Sequence, residues 1–367
     1  MPVALLTNYL TPYRVPLYER LADRHGVDVW CFGGGDRYVP AWFADLDQQL
    51  DDARLRTRRL GGPVSAIALG RGYDAVIAPH AGGAMLPAAY AGARAHRKQF
   101  ILWASVWAEP RSPAHAVASP AIHHIYRRAD AVVAYGEHTR RFVAGIRGHD
   151  DDVFVAPQSV EADLFAREVA SEEIDAFRER HGLTGPFALY AGRLVAEKGV
   201  DVLMDAWRSV SSELTLVVVG DGPLAEAVRA APRTRLLGPL PRPELPVAYA
   251  AAQFALLPSI PTPRFLEPWG LVCNEAMHQA RPVIATTAVG AVAGGLVRDQ
   301  QTGLVVPPSD SRALAEAIDR LAADPALRVR LGEAARASVA AYNYDAMVEA
   351  FDRALATAAT ARTRNRR

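Results

Sequence analysis

The chain predicts an α/β protein built from two doubly wound parallel sheets, and three observations carry that prediction. Short apolar runs recur along all 367 residues. The runs are continuous rather than alternating, as in strands covered on both faces. Longer segments with helical patterning separate them, so strand, helix, strand repeats in both halves of the chain. A length of this order also suits two domains.

In the first half the runs predict strands at Val3–Thr7, Asp28–Phe32, Ala75–Ala78, Phe100–Trp103, Ala131–Ala134 and Val153–Val155. In the second half they predict Phe187–Tyr190, Leu214–Val219, Thr234–Leu237, Phe254–Leu257, Val283–Ala285 and Gly303–Val305. Helices are expected between them, among others at Arg14–Arg24, Glu172–Arg180, Val200–Ser209, Leu224–Ala230 and Arg312–Ala322. The boundary falls near Phe165–Gly185, giving a first domain over 1–168 and a second over 185–340. A last helical stretch, Asp345–Ala359, could belong to either. The tail 360–367, with Arg362, Arg364, Arg366 and Arg367, is basic and expected to fray. Ligands of such sheets bind at the carboxyl ends of the strands, and the default site of two facing sheets is the cleft between them.

Composition excludes several classes. A net charge of +1 makes no electrostatic case for nucleic acid. Cys31 and Cys273 form no disulfide framework and no zinc spacing. The opening Met1–Asn8 lacks the basic region and long apolar run of a signal peptide. No stretch approaches the roughly 18 apolar residues needed to span a bilayer. The expectation is a soluble, cytoplasmic protein, at most peripheral on the inner face of the membrane. Arg94, His96, Arg97 and Lys98 form a basic cluster that an anionic leaflet could attract, although such clusters are more often solvated helix ends.

Lysine occurs only twice, at Lys98 and Lys198. Lys198 lies in Gly192-Arg193-Leu194-Val195-Ala196-Glu197-Lys198-Gly199, after an apolar strand. A strand, a glycine turn and a helix start carrying one ammonium and one guanidinium suit a bound polyanion. A surface Arg and Lys beside a Glu would read the same way. Gly220-Asp221-Gly222-Pro223 follows the most apolar strand and opens a helix, with Pro223 fitted to the first helical position. An ordinary strand-to-helix turn explains that motif equally well. Glu267-Pro268-Trp269-Gly270-Leu271-Val272-Cys273-Asn274-Glu275 places two carboxylates a little over two helical turns apart. Glu267 would sit in the loop at the helix head and Glu275 on the helix body. The amides of Trp269, Gly270 and Leu271 would point at whatever occupies that head. A carboxylate offers two acceptor oxygens to adjacent hydroxyls, as in a ribose diol. A first-turn Glu that complements the helix dipole is the plainer reading of Glu267.

Taken in order with Pro282-Val283-Ile284-Ala285-Thr286, Gly290 and Thr302-Gly303-Leu304 through Asp310, these motifs resemble glycosyltransferase family 4. Those are retaining enzymes of the GT-B fold, such as the glycogen synthases and phosphatidylinositol mannosyltransferases. The resemblance is strongest over Phe187–Ala340; Asn8–Arg14 looks like the opening loop of many members. It implies two Rossmann-like domains facing a cleft, with Asp345–Ala359 crossing back to the first domain. It implies a nucleotide-diphosphate sugar as donor, no other cofactor and no metal. Arg193 and Lys198 would hold and stabilise the leaving diphosphate, Glu267 would contact donor-sugar hydroxyls, and Glu275 the ribose. Gly192, Gly220, Asp221, Gly222, Trp269, Gly270 and Leu271 would complete the donor side. The acceptor would be a glycan, a lipid-linked sugar or a small natural product.

Three positions depart from the family pattern. No histidine follows Phe100–Trp103, Ala280 stands where glycine is frequent, and the asparagine common after the first domain's last strand is absent from Pro157–Glu161. Acceptor-side candidates are therefore read from strand ends alone: Tyr9, Thr11, Tyr13, Arg14, His80, Trp103, Ser105, Trp107 and His138. Gly33-Gly34-Gly35-Asp36-Arg37 with Trp42 and Phe43, Gly82 with Gly83, and Glu109 fall in comparable places. Aromatic faces make sugar platforms, and the same rings also make cores. His123 and His124 read as structural. Two other readings stay open. One is a nucleotide-sugar epimerase or hydrolase of the same fold, which would turn over donor without an acceptor. The other is a noncatalytic two-lobe sugar or nucleotide binder, against which the Arg193, Lys198, Glu267 and Glu275 set argues.

Overall fold

Thirteen strands form two separate parallel sheets among the residues that the computed structural model describes, 1–33, 55–81, 83–109, 111, 113–263 and 265–364. Gly34, Gly35, Asp36, Arg37, Trp42, Phe43, Gly82, Arg366 and Arg367 lie outside them. The chain divides into one unit of 1–157 with 344–367 and a second of 158–343.

The first unit holds β1 (Val3–Thr7), β2 (Val27–Cys31), β3 (Thr57–Arg59), β4 (Ala75–Pro79), β5 (Gln99–Ala104), β6 (Ala131–Ala134) and β7 (Val153–Val155). Their order is β3-β2-β1-β4-β5-β6-β7, and every pairing is parallel. β1 shows why the apolar runs are continuous. Val3 and Leu5 join one buried cluster, while Ala4 and Leu6 join another on the opposite face.

The first of those clusters is completed from the far end of the chain. Helix Tyr344–Arg364 contributes Met347, Val348, Phe351, Ala354, Leu355 and Ala358. Its docking on helix Val15–His25 is polar at the edges. Arg24 and His25 both reach Asp352, and Tyr344 donates to the Tyr13 carbonyl at 2.6 Å. The helix runs through Arg364, so the backbone of 360–364 is helical where the composition predicts fraying.

The second unit holds β8 (Phe187–Ala191), β9 (Thr215–Val219), β10 (Thr234–Gly238), β11 (Phe254–Leu257), β12 (Val283–Thr286) and β13 (Gly303–Val306). Their order is β10-β9-β8-β11-β12-β13, again all parallel. This unit begins at Gln158, earlier than the sequence boundary of 168. The Gln158 carbonyl accepts from Asn274 Nδ2 at 2.8 Å, and Phe165 packs its ring against Tyr249 at 6.5 Å. Gln279 donates to the carbonyls of Phe165 and Arg167. These contacts draw 158–168 into the second unit, and none is visible as a composition change.

Both sheets reverse strand order once. The reversal falls between β1 and β4 in the first unit and between β8 and β11 in the second. At such a switch point the two neighbouring loops diverge and leave a crevice at the strand carboxyl ends.

Candidate functional site

In the second unit the motifs occupy those carboxyl ends. Gly192–Gly199 follows β8, Gly220–Pro223 follows β9, and Pro258–Gly270 follows β11. The first two turns are interlocked. Gly192 N donates to the Val219 carbonyl and Leu194 N to the Asp221 carbonyl, both at 2.9 Å. Gly220 has φ +137°, and a Cβ there would stand 2.0 Å from the Gly192 carbonyl oxygen, so no larger residue fits. Asp221 bends its own carboxylate onto Gly222 N at 2.8 Å. Under the β8 turn, the buried Tyr190 hydroxyl donates to the Arg193 carbonyl at 2.8 Å. Burial pushes that phenol's pKa up, so it stays a donor.

The switch point brings together Lys198 and Glu267, which are 69 residues apart in sequence. Lys198 Nζ donates to Glu267 Oε2, with the two side chains 16% and 7% exposed. The ammonium also lies 5.6 Å from the centroid of the Phe265 ring. Arg193 and Glu197 form a looser pair at 3.6 Å.

Gly270 precedes helix Leu271–His278, and Glu275 stands on its second turn. The fully buried Tyr249 donates to Glu275 Oε2 at 2.6 Å. Burial raises the Glu275 pKa above the usual carboxylate value, while the Tyr249 bond and the Arg242 charge pull it back. Arg242 itself pairs with Glu161 at 2.8 Å. Trp269 is buried, donates to Asn274 Oδ1 at 2.7 Å and leans on Tyr342 at 5.6 Å. Its ring is therefore structural, and only its backbone and those of Gly270 and Leu271 border the helix head. A separate cavity of about 590 Å³ opens at the other end of this sheet. Arg178, Arg281 and Arg328 line it, each donating to a main-chain carbonyl. Helix and loop carbonyls thus occupy the guanidinium groups there.

In the first unit the candidates at the switch point are largely packed. Arg14 is 6% exposed, with its guanidinium 4.9 Å from the Trp103 ring and 5.2 Å from Tyr135. Trp103 is 3% exposed and meets Tyr18, Tyr135 and Phe351 edge-on or tilted. Its ring belongs to the core and offers no face to a sugar. His80 Nδ1 lies 2.5 Å from the Tyr126 hydroxyl, and burial lowers its pKa to about 4. His138 is buried edge-on to Trp107 at 5.2 Å. Tyr9 accepts at its carbonyl from Thr7 Oγ1, the Thr11 carbonyl accepts from Arg14 N at 2.8 Å, and Tyr9, Tyr13, Ser105 and Trp107 remain half-buried. His123 pairs with Glu109 at 2.6 Å. In the basic cluster, Arg94 pairs with Asp130 and Lys98 with Asp74. Among the described residues no helix is long and apolar enough to cross a membrane.

The residues that no motif announced are Ser259, Tyr249 and Tyr190. Each places a hydroxyl on a motif residue: Ser259 on Glu267, Tyr249 on Glu275, and Tyr190 on the Arg193 carbonyl. Sequence gives no sign of them, because each lies inside an apolar run or a loop of no pattern.

Residues 185–324 match the family model described as Glycosyl transferases group 1. The chain is 32% identical over 238 residues to the alpha-D-kanosaminyltransferase of Streptomyces kanamyceticus, covering 59% of this chain and 57% of that protein. It is 33% identical over 236 residues to the D-inositol 3-phosphate glycosyltransferase of Xylanimonas cellulosilytica, covering 59% and 54%. The chain thus spans just over half the length of these curated relatives. Among solved structures, Anabaena HepE in complex with UDP has a TM-score of 0.78 at 19% identity, covering 97% of this chain and 100% of that one. The sucrose-phosphate synthase of Thermosynechococcus elongatus has a TM-score of 0.70 at 23% identity, covering 99% and 98%. At these identities the likeness is one of fold, two Rossmann-like units of the GT-B kind.

Proposed function

We propose that the chain, whose residues 185–324 match the Glycosyl transferases group 1 model, moves a sugar from a nucleoside-diphosphate sugar to a hydroxyl of a glycan, lipid-linked or small-molecule acceptor. The observation that carries this reading is the meeting of Lys198 and Glu267 at the switch point of the second sheet. Arg193 on the neighbouring turn and Lys198 receive the diphosphate. Glu267 takes hydroxyls of the donor sugar, and the Trp269, Gly270 and Leu271 backbone lies at the helix head. Glu275, held by Tyr249, takes the ribose diol.

The chemistry follows from charge. As the glycosidic C–O bond stretches, positive charge grows on the sugar and negative charge on the diphosphate. Fixed cations beside that diphosphate lower the barrier. In this reading the basic pair does the work of a metal ion. The departing phosphate oxygen takes the acceptor hydroxyl's proton on the same face, so configuration is retained without an enzyme nucleophile.

The test is thermal unfolding of the wild-type chain and Glu275→Ala with UDP, GDP, ADP and dTDP. A ligand of the folded state raises the midpoint as RT ln(1 + [L]/Kd). One nucleotide is expected to raise the wild-type midpoint and to lose that effect in the variant. No rise with any of the four would overturn the reading.

A further inference from the structure

Three consecutive residues after β11 fasten both partners of the Lys198–Glu267 pair. Pro258 supplies a carbonyl that packs on the lysine turn, where Gly199 has φ +72° and a Cβ would stand 1.9 Å from that oxygen. Ile260 N donates to the Glu197 carbonyl at 3.1 Å, immediately before Lys198. Between them Ser259 is fully buried, and its Oγ donates to Glu267 Oε2 at 3.0 Å. That is the same oxygen that receives Lys198 Nζ. The Ser259 carbonyl in turn accepts from Thr286 Oγ1 at the end of β12, which fixes the serine backbone.

Sharing one oxygen has a consequence for a lysine that must also bind a diphosphate. When the phosphate draws Lys198 toward itself, the carboxylate loses part of its stabilisation. A buried carboxylate stripped of a donor is costly, and the cost subtracts from ligand affinity. A hydroxyl already on that oxygen offsets the loss. We propose that Ser259 is a positioning residue, whose hydroxyl holds the Glu267 carboxylate in place while Lys198 turns from Glu267 to the donor diphosphate. This inference rests on the reading of the site as a nucleoside-diphosphate-sugar site.

The experiment is a double-mutant cycle on the full chain, with UDP and GDP titrated calorimetrically into wild type, Ser259→Ala, Glu267→Gln and the double variant. Neutral glutamine has no charge to lose, so the serine should matter only while residue 267 is a carboxylate. Ser259→Ala is expected to weaken nucleotide binding about tenfold in the wild-type background, the size of one lost hydrogen bond to a charged group. In the Glu267→Gln background the same change should leave affinity within about twofold, because the coupling is gone. An equal loss in both backgrounds would mean that Ser259 only supports the fold, and would overturn the inference while leaving the site intact. No loss in either background would overturn it too. Failure of wild type to bind either nucleotide would remove the site reading and the inference together.

Discussion

The two units share one strand order, with a seventh strand added in the first, and carry one lysine each, yet they use their switch points and their lysines differently. At the end of β1 the first unit fills the position with Arg14 stacked among Trp103, Tyr135 and Tyr13. At the end of β8 the second unit leaves charged groups in the loops, with Lys198 meeting Glu267. Lys98 pairs with Asp74 at 2.8 Å, where the side chains are 21% and 35% exposed. Lys198 and Glu267 are 16% and 7% exposed. The difference teaches that a parallel sheet offers a crevice by topology, and that side-chain volume decides whether the crevice persists. In the first unit aromatic rings have closed it. In the second, glycine turns and the Lys198–Glu267 pair take that position instead.

The sharpest way to break this comparison is to remove each lysine in turn. Lys198→Met strands the Glu267 carboxylate in a nearly covered position. Breaking a buried pair by deleting one partner costs on the order of 3 kcal/mol. Adding Glu267→Gln should recover most of that stability but none of the nucleotide binding. Lys98→Met, in contrast, removes a more exposed pair, and such pairs are worth about 0–1 kcal/mol. Denaturant unfolding of the three variants checks the ranking. Equal losses at Lys98 and Lys198 would show that the two lysines are both ordinary ion-pair partners.

A second contrast concerns His80, which lies at the end of β4 and so at the first unit's switch point. The second unit has a buried histidine elsewhere, His278 at the end of helix Leu271–His278. Burial lowers both pKa values from 6.5 to about 4. Between those values the unfolded chain binds a proton that the folded chain does not. Their contribution is therefore fully present above pH 6.5 and is lost as pH falls toward 4. The slope is up to about 1.4 kcal/mol per pH unit for each histidine. His80→Gln and His278→Gln should each flatten the stability profile between pH 6.5 and 4.5. A His80 that faced open solvent as an acceptor-side group would titrate near its ordinary value, and its replacement would leave the profile unchanged.

The strands were legible because burial on both faces writes an unbroken apolar run, and all twelve predicted runs are strands. β3 was not, since Thr57-Arg58-Arg59 is a three-residue edge strand with both arginines exposed. Helix Pro325–Val339 carries a readable start signal, Asp324 as cap followed by Pro325. The motif loops of the second unit were legible because glycine and proline mark sites of close backbone approach. What sequence could not show is depth. Trp103 stands at a strand end as a sugar platform would, and it is buried against Phe351, far away in the chain. Ser259 was invisible for the opposite reason, because a single hydroxyl acquires its role only from the carboxylate that folding brings to it.

Ala280 gives the smallest test and separates helix-end geometry from site chemistry within the second unit. Helix Leu271–His278 ends with Ala280 N on the Met277 carbonyl and Arg281 N on the Ala276 carbonyl, both at 3.0 Å. That is the paired bonding of a helix end closed by a left-handed residue, a place usually given to glycine. Ala280 adopts φ 52° there, and a Cβ in that region costs roughly 1 kcal/mol. Gly332 packs against this turn, since a Cβ on it would stand 2.1 Å from the Ala280 carbonyl oxygen. The turn is therefore held from outside, and the alanine is tolerated rather than preferred. Ala280→Gly should raise stability by a few tenths to about 1 kcal/mol, the relief of the strain being partly offset by the freer unfolded chain. Nucleotide affinity should not change, because Glu275 lies more than one turn earlier on the same helix. A change in affinity without a change in stability would mean that the end of this helix is coupled to its head. Glu275 would then be positioned by the whole helix rather than by Tyr249.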